Sequence, residues 1–255
     1  MTGSKTEFLK KIKSKKELKG LADPVVLENL NNYLRKSNIE FSTTSEKERK
    51  IILKDVRSSL RLLTGRFQKS MKDKKSLLAL GEVEKLLKTH SSTSERLVFY
   101  PEFKKLLKKI NPKSILDLGC GLNPIAIASK GVEYFASDIK EDELKIVSEF
   151  FESKKIKGKV FVADLQNLKK ELPETDICLI LKVLDVVDPN HKISKDLLKK
   201  IPARIIIVSF STKKLSGRKM NFPRRFWFEN LLKEMRLKFK TLESENEFFY
   251  IITNH

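Results

Sequence analysis

The sequence predicts an α/β protein, in which helices cover both faces of a parallel sheet, preceded by an all-helical domain. Three observations lead to this fold class. Strand and helix patterns alternate after residue 110 of the 255-residue chain, apolar residues recur at helical spacing before residue 90, and no Gly/Pro-rich linker interrupts either part. We therefore expect a helical domain at residues 1–89 and a sheet domain at residues 90–255.

The first domain has the pattern of four or five amphipathic helices. Asp23 followed by Pro24 predicts one helix start, because aspartate is a favoured N-cap and proline is favoured at the first helical position. The serines and threonines of residues 42–45, followed by Glu46 and Glu48, predict another.

The second domain has seven segments with strand character, separated by helical patterns such as residues 141–154 and 194–200. The predicted strands are residues 114–118, 133–137, 159–163, 176–181, 204–210, 238–242 and 247–253. In parallel sheets ligands bind beyond the carboxyl ends of the strands. The residues that end each strand are therefore the first candidates for a functional site.

Composition excludes several classes of protein. No apolar run approaches the roughly 20 residues that span a bilayer, and the first twenty residues are too charged for a secretory signal, which predicts a cytoplasmic protein without membrane contact. Cys120 and Cys178 fall at predicted buried positions and are expected to be reduced thiols. Two cysteines and three histidines show no ligand spacing, so no metal site is expected.

The net charge of +20 is concentrated at two parts of the chain. Residues 1–90 carry a net charge of +11, residues 91–194 carry +1, and residues 195–240 carry +11. A nearly neutral centre between basic ends indicates a polyanionic partner that both ends contact. Nucleic acid is the obvious candidate, and a lysine-rich proteome is the alternative.

The ends of the first three predicted strands carry glycines and carboxylates. Gly119 and Gly121 follow the first strand and allow a sharp turn, although Asn123-Pro124 stands where a dinucleotide fingerprint has its third glycine. Asp138 ends the second strand, where a carboxylate can accept both ribose hydroxyls, and Asp164 ends the third. A single aspartate at a strand end is more often a turn or helix cap, but acidic ends on three successive strands, at Asp117, Asp138 and Asp164, beside a G-x-G turn favour an adenosine-containing cofactor.

This combination resembles the class I methyltransferase fold, which binds S-adenosylmethionine, and it fits a nicotinamide dinucleotide less well. The resemblance implies that the glycines lie against the amino acid moiety, that Asp138 holds the ribose, and that Asp164 and its leucine contact the adenine. The implied cofactor site so far comprises Gly119, Gly121, Asp138, Ile139, Asp164 and Leu165.

The residues at the end of the fourth strand limit which acceptor groups the protein could methylate. Its end lacks the Asn/Asp-Pro-Pro-aromatic tetrapeptide that cradles an exocyclic amine, and no Pro-Cys nucleophile follows it, because Cys178 lies inside the strand. An acceptor that is already nucleophilic remains. Guanine N7 fits, since its lone pair needs no deprotonation, and no catalytic side chain beyond positioning groups is then expected.

Four motifs together resemble the 16S ribosomal RNA guanine-N7 methyltransferases of the aminoglycoside-resistance type, over residues 90–255. They are "HSSTSERLVFYPEF" at 90–103, "LDLGCGLNPIAI" at 116–127, "LILK" at 179–182 and "VSFSTKKLSGRKM" at 208–220. The resemblance implies that Arg96 reaches the cofactor carboxylate and that Leu181 and Lys182 line the site. It also implies a monomer that acts on 16S rRNA within the small subunit, in its decoding region, with resistance or housekeeping as the role.

The loop after the fifth strand is the candidate RNA-binding element. It offers four cations that can contact the phosphates around an extruded base: Lys213, Lys214, Arg218 and Lys219. Phe210, Phe222 and Trp227 are candidate stacking partners for that base, although core packing is the commoner role of such side chains. Two alternatives stay open: a methyltransferase of another RNA such as tRNA, and a non-catalytic RNA-binding protein on the same fold.

Overall fold

The computed structural model describes residues 4–64, 74–213 and 217–253. Lys214 of the predicted RNA-binding loop lies outside these residues. In the described part of the chain no helix is both long and apolar enough to cross a membrane.

Twelve α-helices are described. They are α1 Lys5–Lys13, α2 Asp23–Lys36, α3 Glu46–Thr64, α4 Lys74–Ala79, α5 Val83–Lys88, α6 Ser91–Arg96, α7 Tyr100–Ile110, α8 Asn123–Ile127, α9 Glu141–Lys154, α10 Leu184–Val187, α11 Ser194–Lys199 and α12 Phe226–Glu234. Five of them precede residue 90, in agreement with the helical periodicity of that region.

Seven strands form one sheet in the order β3-β2-β1-β4-β5-β7-β6. They are β1 Ser114–Leu118, β2 Glu133–Asp138, β3 Gly158–Val162, β4 Thr175–Leu181, β5 Ala203–Ser211, β6 Lys238–Glu243 and β7 Glu247–Thr253. The first five run parallel, and β7 enters antiparallel between β5 and β6. Each boundary lies within one residue of its prediction, because buried central strands are short apolar runs with clear ends.

The strand order reverses between β1 and β4, and this reversal determines where a ligand-binding crevice can form. β1 pairs with β2 on one side and with β4 on the other, so the chain leaves the middle of the sheet in both directions. The connections after β1 and β4 must therefore diverge at their carboxyl ends and leave a gap there.

Helices cover both faces of the sheet. One apolar layer contains Phe103, Leu144, Phe150 and residues of β1 and β2, and the other contains Leu197, Phe228 and Leu232 against β4 and β5. The sheet is therefore buried on both sides, as its nearly continuous apolar strands require.

The N-terminal helices α1 to α3 have a core of their own. Ser45 and Glu48 form a reciprocal capping box at the start of α3: the Glu48 carboxylate accepts from Ser45 N at 2.7 Å, and Ser45 Oγ accepts from Glu48 N at 3.3 Å. The prediction that Asp23 caps α2 is wrong, because Ala22 occupies the N-cap position and the Asp23 carboxylate pairs with Lys13 of α1.

The two parts of the chain are in direct contact. Ala22 N donates to Ile139 O at 2.9 Å, and the Ile139 side chain packs against the core of α1 to α3. Leu86 and Leu87 of α5 instead pack into the core of the sheet. The domain boundary near residue 90 stays a prediction, and the packing shows that α5 already belongs with the sheet.

Candidate functional site

A pocket opens at the carboxyl ends of β1 to β4. Its volume is about 710 Å³, counting the space that opens to solvent. Of the predicted cofactor residues, the lining contains Gly119, Asp138, Ile139, Asp164, Leu165, Leu181 and Lys182. Four separate strand ends therefore converge on one cavity, as the parallel topology predicts.

The turn after β1 needs glycine at both predicted positions. Gly119 has φ +69° and Gly121 has φ +48°, a left-handed conformation that side chains disfavour. A Cβ on Gly119 would lie 2.7 Å from Val183 Cγ2, and one on Gly121 would lie 3.0 Å from His90 Cε1. The backbone of this turn thus approaches the pocket more closely than any other residue type would allow.

Asp138 is fixed by the glycine turn rather than by another side chain. Its Oδ2 accepts from Gly121 N at 2.9 Å, and its Oδ1 accepts from Lys140 N at 3.1 Å. Burial, together with the nearby Glu143 carboxylate, raises the pKa of Asp138. Gly121 does not itself line the pocket, and its role is to hold this carboxylate at the pocket wall.

Asp164 combines a cap with a place in the pocket. Its Oδ1 accepts from Gln166 N and its Oδ2 from Asn167 Nδ2, at 2.9 and 2.8 Å, so it caps the short 3-10 helix that follows β3. A carboxylate has about four lone-pair sites, and these two bonds leave acceptor capacity for a ligand. Leu165 beside it is buried and offers an apolar surface.

Leu181 is the last residue of β4, and Lys182, which follows it, adopts φ +60°. The Lys182 ammonium contacts Glu95 Oε2 at 2.5 Å and Glu247 Oε1 at 3.7 Å. Lys182 is buried, and its charge is therefore neutralised within the wall of the pocket.

The structure does not bring Arg96 into the pocket lining. Its guanidinium is fully buried and makes a bidentate pair with Glu247, at 2.7 Å from Nε and 2.9 Å from Nη2, while Nη1 donates to Asn123 Oδ1 at 3.2 Å. Burial alone would lower the pKa of Arg96, but Glu247 and Tyr100 outweigh burial and raise it. These bonds use three of the five N–H groups, and a bond to the cofactor carboxylate stays a prediction.

Asn123 explains why the third glycine of a dinucleotide turn is absent. Its Nδ2 donates to Asp117 Oδ2 at 2.8 Å, and its Oδ1 accepts from Tyr100 OH at 3.0 Å. Tyr134 OH also donates to Asp117, at 2.7 Å, and burial raises the pKa of Asp117 to about 6. The side chain at position 123 therefore ties β1 to α7 through buried hydrogen bonds, and the helix α8 begins on it.

Sequence reasoning missed a buried charge cluster in the pocket wall. Lys74 Nζ donates to Glu143 Oε1 at 2.9 Å, and His90 Nε2 lies 3.7 Å from Glu143 Oε2. Burial opposes ionisation of Glu143, but His90, Lys74 and Lys140 outweigh it and lower the pKa of Glu143. Lys74 and Glu143 lie 69 residues apart in the sequence, so no local sequence pattern predicts that they form a pair.

The helical domain also contributes to the pocket, which the sequence did not predict. Leu63 and Thr64, at the end of α3, line it together with the sheet residues. The cofactor pocket is thus completed by the part of the chain that carries one of the two basic regions.

The predicted RNA-binding loop projects from the end of β5. Lys213 and Lys219 face each other across an isolated antiparallel bridge, and Met220 N donates to Thr212 O at 2.8 Å. Arg218 and Lys219 are exposed, whereas Lys213 is half-buried and lies 3.5 Å from Glu245. Lys213 and Lys219 therefore lie side by side beyond the end of β5.

The three candidate stacking aromatics have different environments. Phe210 is fully buried in the core. Trp227 is half-buried and stacks on His191, with 3.8 Å between ring centroids. Phe222 is 75% exposed, so the core role that is common for such residues does not apply to it.

Comparison with known proteins agrees with this architecture. The family model described as "Ribosomal RNA methyltransferase (FmrO)" matches residues 68–251. The chain belongs to this family. The resemblance found in the four motifs is thereby confirmed.

The similar curated proteins are 16S rRNA (guanine(1405)-N(7))-methyltransferases. One from Frankia casuarinae is 28% identical over 179 residues, which cover 67% of this chain and 63% of the relative. One from Micromonospora echinospora is 29% identical over 179 residues, covering 67% of this chain and 65% of the relative. The matched region thus spans slightly less than two thirds of the length of these relatives.

Solved structures confirm the class I methyltransferase fold. The 16S rRNA methyltransferase RmtF, in complex with S-adenosyl-L-homocysteine, superposes with a TM-score of 0.81 at 23% identity and full coverage of both chains. The 16S rRNA methylase ArmA is 27% identical, with a TM-score of 0.59, over 73% of this chain and 100% of its own.

Proposed function

We propose that the protein transfers a methyl group from S-adenosylmethionine to guanine N7 in the decoding region of 16S rRNA. The observation that carries the proposal is the convergence of the Gly119 turn, Asp138 and Asp164 on one pocket, in a chain of the ribosomal RNA methyltransferase family. Curated relatives of the same family are named for this reaction.

The pocket fits the cofactor on structural grounds. Gly119 lines the pocket without a side chain, so its backbone would allow an extended amino acid moiety to approach closely. Asp138 would accept the ribose hydroxyls, since the two backbone bonds on its oxygens leave lone pairs for them. Asp164 would accept from the adenine amino group, and Ile139 and Leu165 would cover the ring.

The chemistry requires positioning more than acid–base catalysis. When bound, S-adenosylmethionine supplies an electrophilic methyl group on a positively charged sulfur. Guanine N7 has a free lone pair at neutral pH, so no side chain has to remove a proton. Leu181 and Val183 would exclude water and hold guanine N7 in line with the methyl group. Because the two reactants would already be aligned, the reaction would not have to lose the entropy of bringing them together.

RNA binding would combine the loop after β5 with the helical domain. The exposed Arg218 and Lys219 would contact phosphates near the target base, and the basic residues of α1 to α3 would dock on folded rRNA by its shape. We propose that a monomer acts on rRNA within the small subunit, and such a substrate would place the protein in the cytoplasm.

The test is to incubate small ribosomal subunits with cofactor that carries a labelled methyl group, and to map the product by strand cleavage at N7-methylguanine. Cleavage at one guanine of the decoding region is the expected result. Label on an adenine or a pyrimidine, or faster methylation of tRNA in competition, would reject the proposal. Free 16S rRNA in a parallel reaction identifies the preferred form of the substrate.

A further inference from the structure

Two phenylalanine side chains are exposed to solvent, Phe222 just after the RNA-binding loop and Phe226 at the first residue of α12. Phe222 is 75% exposed and Phe226 is 61% exposed. Neither belongs to a core cluster, whereas the nearby Phe210 and Phe228 are fully buried. Exposure alone does not identify a binding surface, since Leu80 is 73% exposed as well, and a partner can therefore be inferred only from the residues that surround the two rings.

The segment that carries both rings is strongly basic. Residues 217–226 contain four cations and no acidic residue. The cations are Arg218, Lys219, Arg224 and Arg225. Aromatic rings interleaved with cations are complementary to unpaired nucleotides, because each nucleotide offers a phosphate and a flat base.

The segment is anchored beside the cofactor pocket. Arg225 Nη2 donates to Asp185 Oδ2 at 2.9 Å and to Ser211 O at 3.1 Å, and the guanidinium lies 5.2 Å from the centroid of the Phe210 ring. Asp185 belongs to α10, whose next residue, Val186, lines the pocket. The segment is therefore anchored, through Arg225, to a helix that contributes to the pocket lining.

Both ends of the segment are fixed, which limits the entropy that binding would have to remove. On one side the Met220 N to Thr212 O bond closes the loop. On the other, Arg224 makes a bidentate pair with Glu229, with both distances at 2.8 Å. Phe222 lies between these two anchors, so its ring is presented on a short, constrained stretch of chain.

We propose that Phe222 and Phe226 form a stacking platform for unpaired nucleobases of the RNA, next to the base that enters the pocket. This deepens the proposed function and rests on RNA being the substrate. Charge complementarity favours RNA over an apolar protein surface: Arg224 and Arg225 are paired with Glu229 and Asp185, but Arg218 and Lys219 of the same segment are exposed and can contact phosphates.

The experiment measures binding of the full-length protein to single-stranded poly(A), to duplex RNA and to small ribosomal subunits, at fixed salt. The variants are Phe222→Ala, Phe226→Ala, and the same two positions changed to Leu and to Trp. Leucine keeps the apolar character without the ring, and tryptophan keeps a stacking ring. Leu80→Ala is the matched control, because Leu80 is 73% exposed and lies outside the basic segment.

We expect each alanine variant to bind single-stranded RNA about tenfold more weakly, each leucine variant to lose nearly as much, and each tryptophan variant to bind as tightly as wild type. Duplex binding and the Leu80→Ala variant should change less than twofold. Emission of the introduced tryptophan should fall when poly(A) stacks on it. With subunits as substrate, the alanine variants should raise KM and leave kcat nearly unchanged.

Unchanged single-stranded binding in both alanine variants would overturn the platform and leave a protein partner as the occupant of this face. Full activity of the leucine variants would also overturn it, since burial rather than stacking would then be the cause. If the wild type binds RNA but transfers no methyl group, the proposed reaction fails while the binding series still decides the platform.

Discussion

The buried pair between Arg96 and Glu247 should support the whole carboxyl edge of the sheet. The perturbation is Glu247→Gln, which keeps the shape of the side chain and removes its charge. Arg96 is 2% exposed and Glu247 is 1% exposed, so water cannot replace the lost partner. The same carboxylate also accepts from Ser209 Oγ at 2.7 Å and lies 3.7 Å from the Lys182 ammonium.

The expected loss follows from this burial. Breaking a buried ion pair by removing one partner costs about 3–5 kcal/mol, and glutamine keeps one acceptor oxygen, so we expect about 3 kcal/mol. Glu95→Gln is the control, because Glu95 also pairs with Lys182 but its side chain is 43% exposed. An exposed partner is worth about 1 kcal/mol or less.

The assay is urea unfolding followed by the fluorescence of Trp227, the single tryptophan of the chain. A loss for Glu247→Gln no larger than that for Glu95→Gln would refute the assignment of a buried supporting pair. The double variant Arg96→Met with Glu247→Leu should recover most of the stability, because no buried charge remains unpaired. Titration of this stable background with S-adenosylmethionine then tests whether Arg96 reaches the cofactor carboxylate, which requires a loss of affinity.

Three further predictions concern the pocket. Asp138→Ala should abolish cofactor binding in calorimetry and leave RNA binding within about twofold, and equal loss of both would make Asp138 structural. Gly119→Ala should lower the unfolding free energy by about 2 kcal/mol more than Gly131→Ala, because both have positive φ but only Gly119 would meet Val183. Asp117→Asn should flatten the pH dependence of stability: the pKa of Asp117 is raised from 3.8 to about 6, so the native state holds this proton more tightly, and between pH 4.5 and 7.5 the wild type should lose about 2 kcal/mol more stability than the variant. Unfolding at pH 4.5 and 7.5 measures the difference, and parallel curves would contradict it.

The positions of the strands and the strand-end residues were predictable because they depend on local sequence. A short apolar run that ends in Gly119 or Asp138 is sufficient to place the end of a parallel strand, and parallel topology then brings the ends together. The glycine turn and both carboxylates were found in this way, whereas Leu181 and Lys182 were expected only from the resemblance to a known family. The capping box of Ser45 and Glu48 is equally local.

The partners of those residues were not predictable, because they come from distant parts of the chain. Arg96 and Glu247 lie 151 residues apart, and the arginine was expected at the cofactor rather than against a glutamate of β7. Asp23 was expected to cap its own helix, but Lys13 of the preceding helix takes its carboxylate. In each case the sequence around a charged side chain allows one role, but a residue from another part of the chain pairs with that side chain in the folded structure.

The pairing of cations separates two functions within this basic chain. Three buried cations around the pocket are paired with a carboxylate: Lys74 with Glu143, Arg96 with Glu247, and Lys182 with Glu95. Burial makes such pairing necessary, since an unpaired buried charge would strongly destabilise the folded protein. The positive charge left over therefore accumulates on exposed segments, where it remains hydrated until a polyanion displaces its counterions. A pocket suited to a small cofactor and a surface suited to RNA can then coexist in one chain. The net positive charge lies on the surface, whereas these three buried cations are balanced by neighbouring carboxylates.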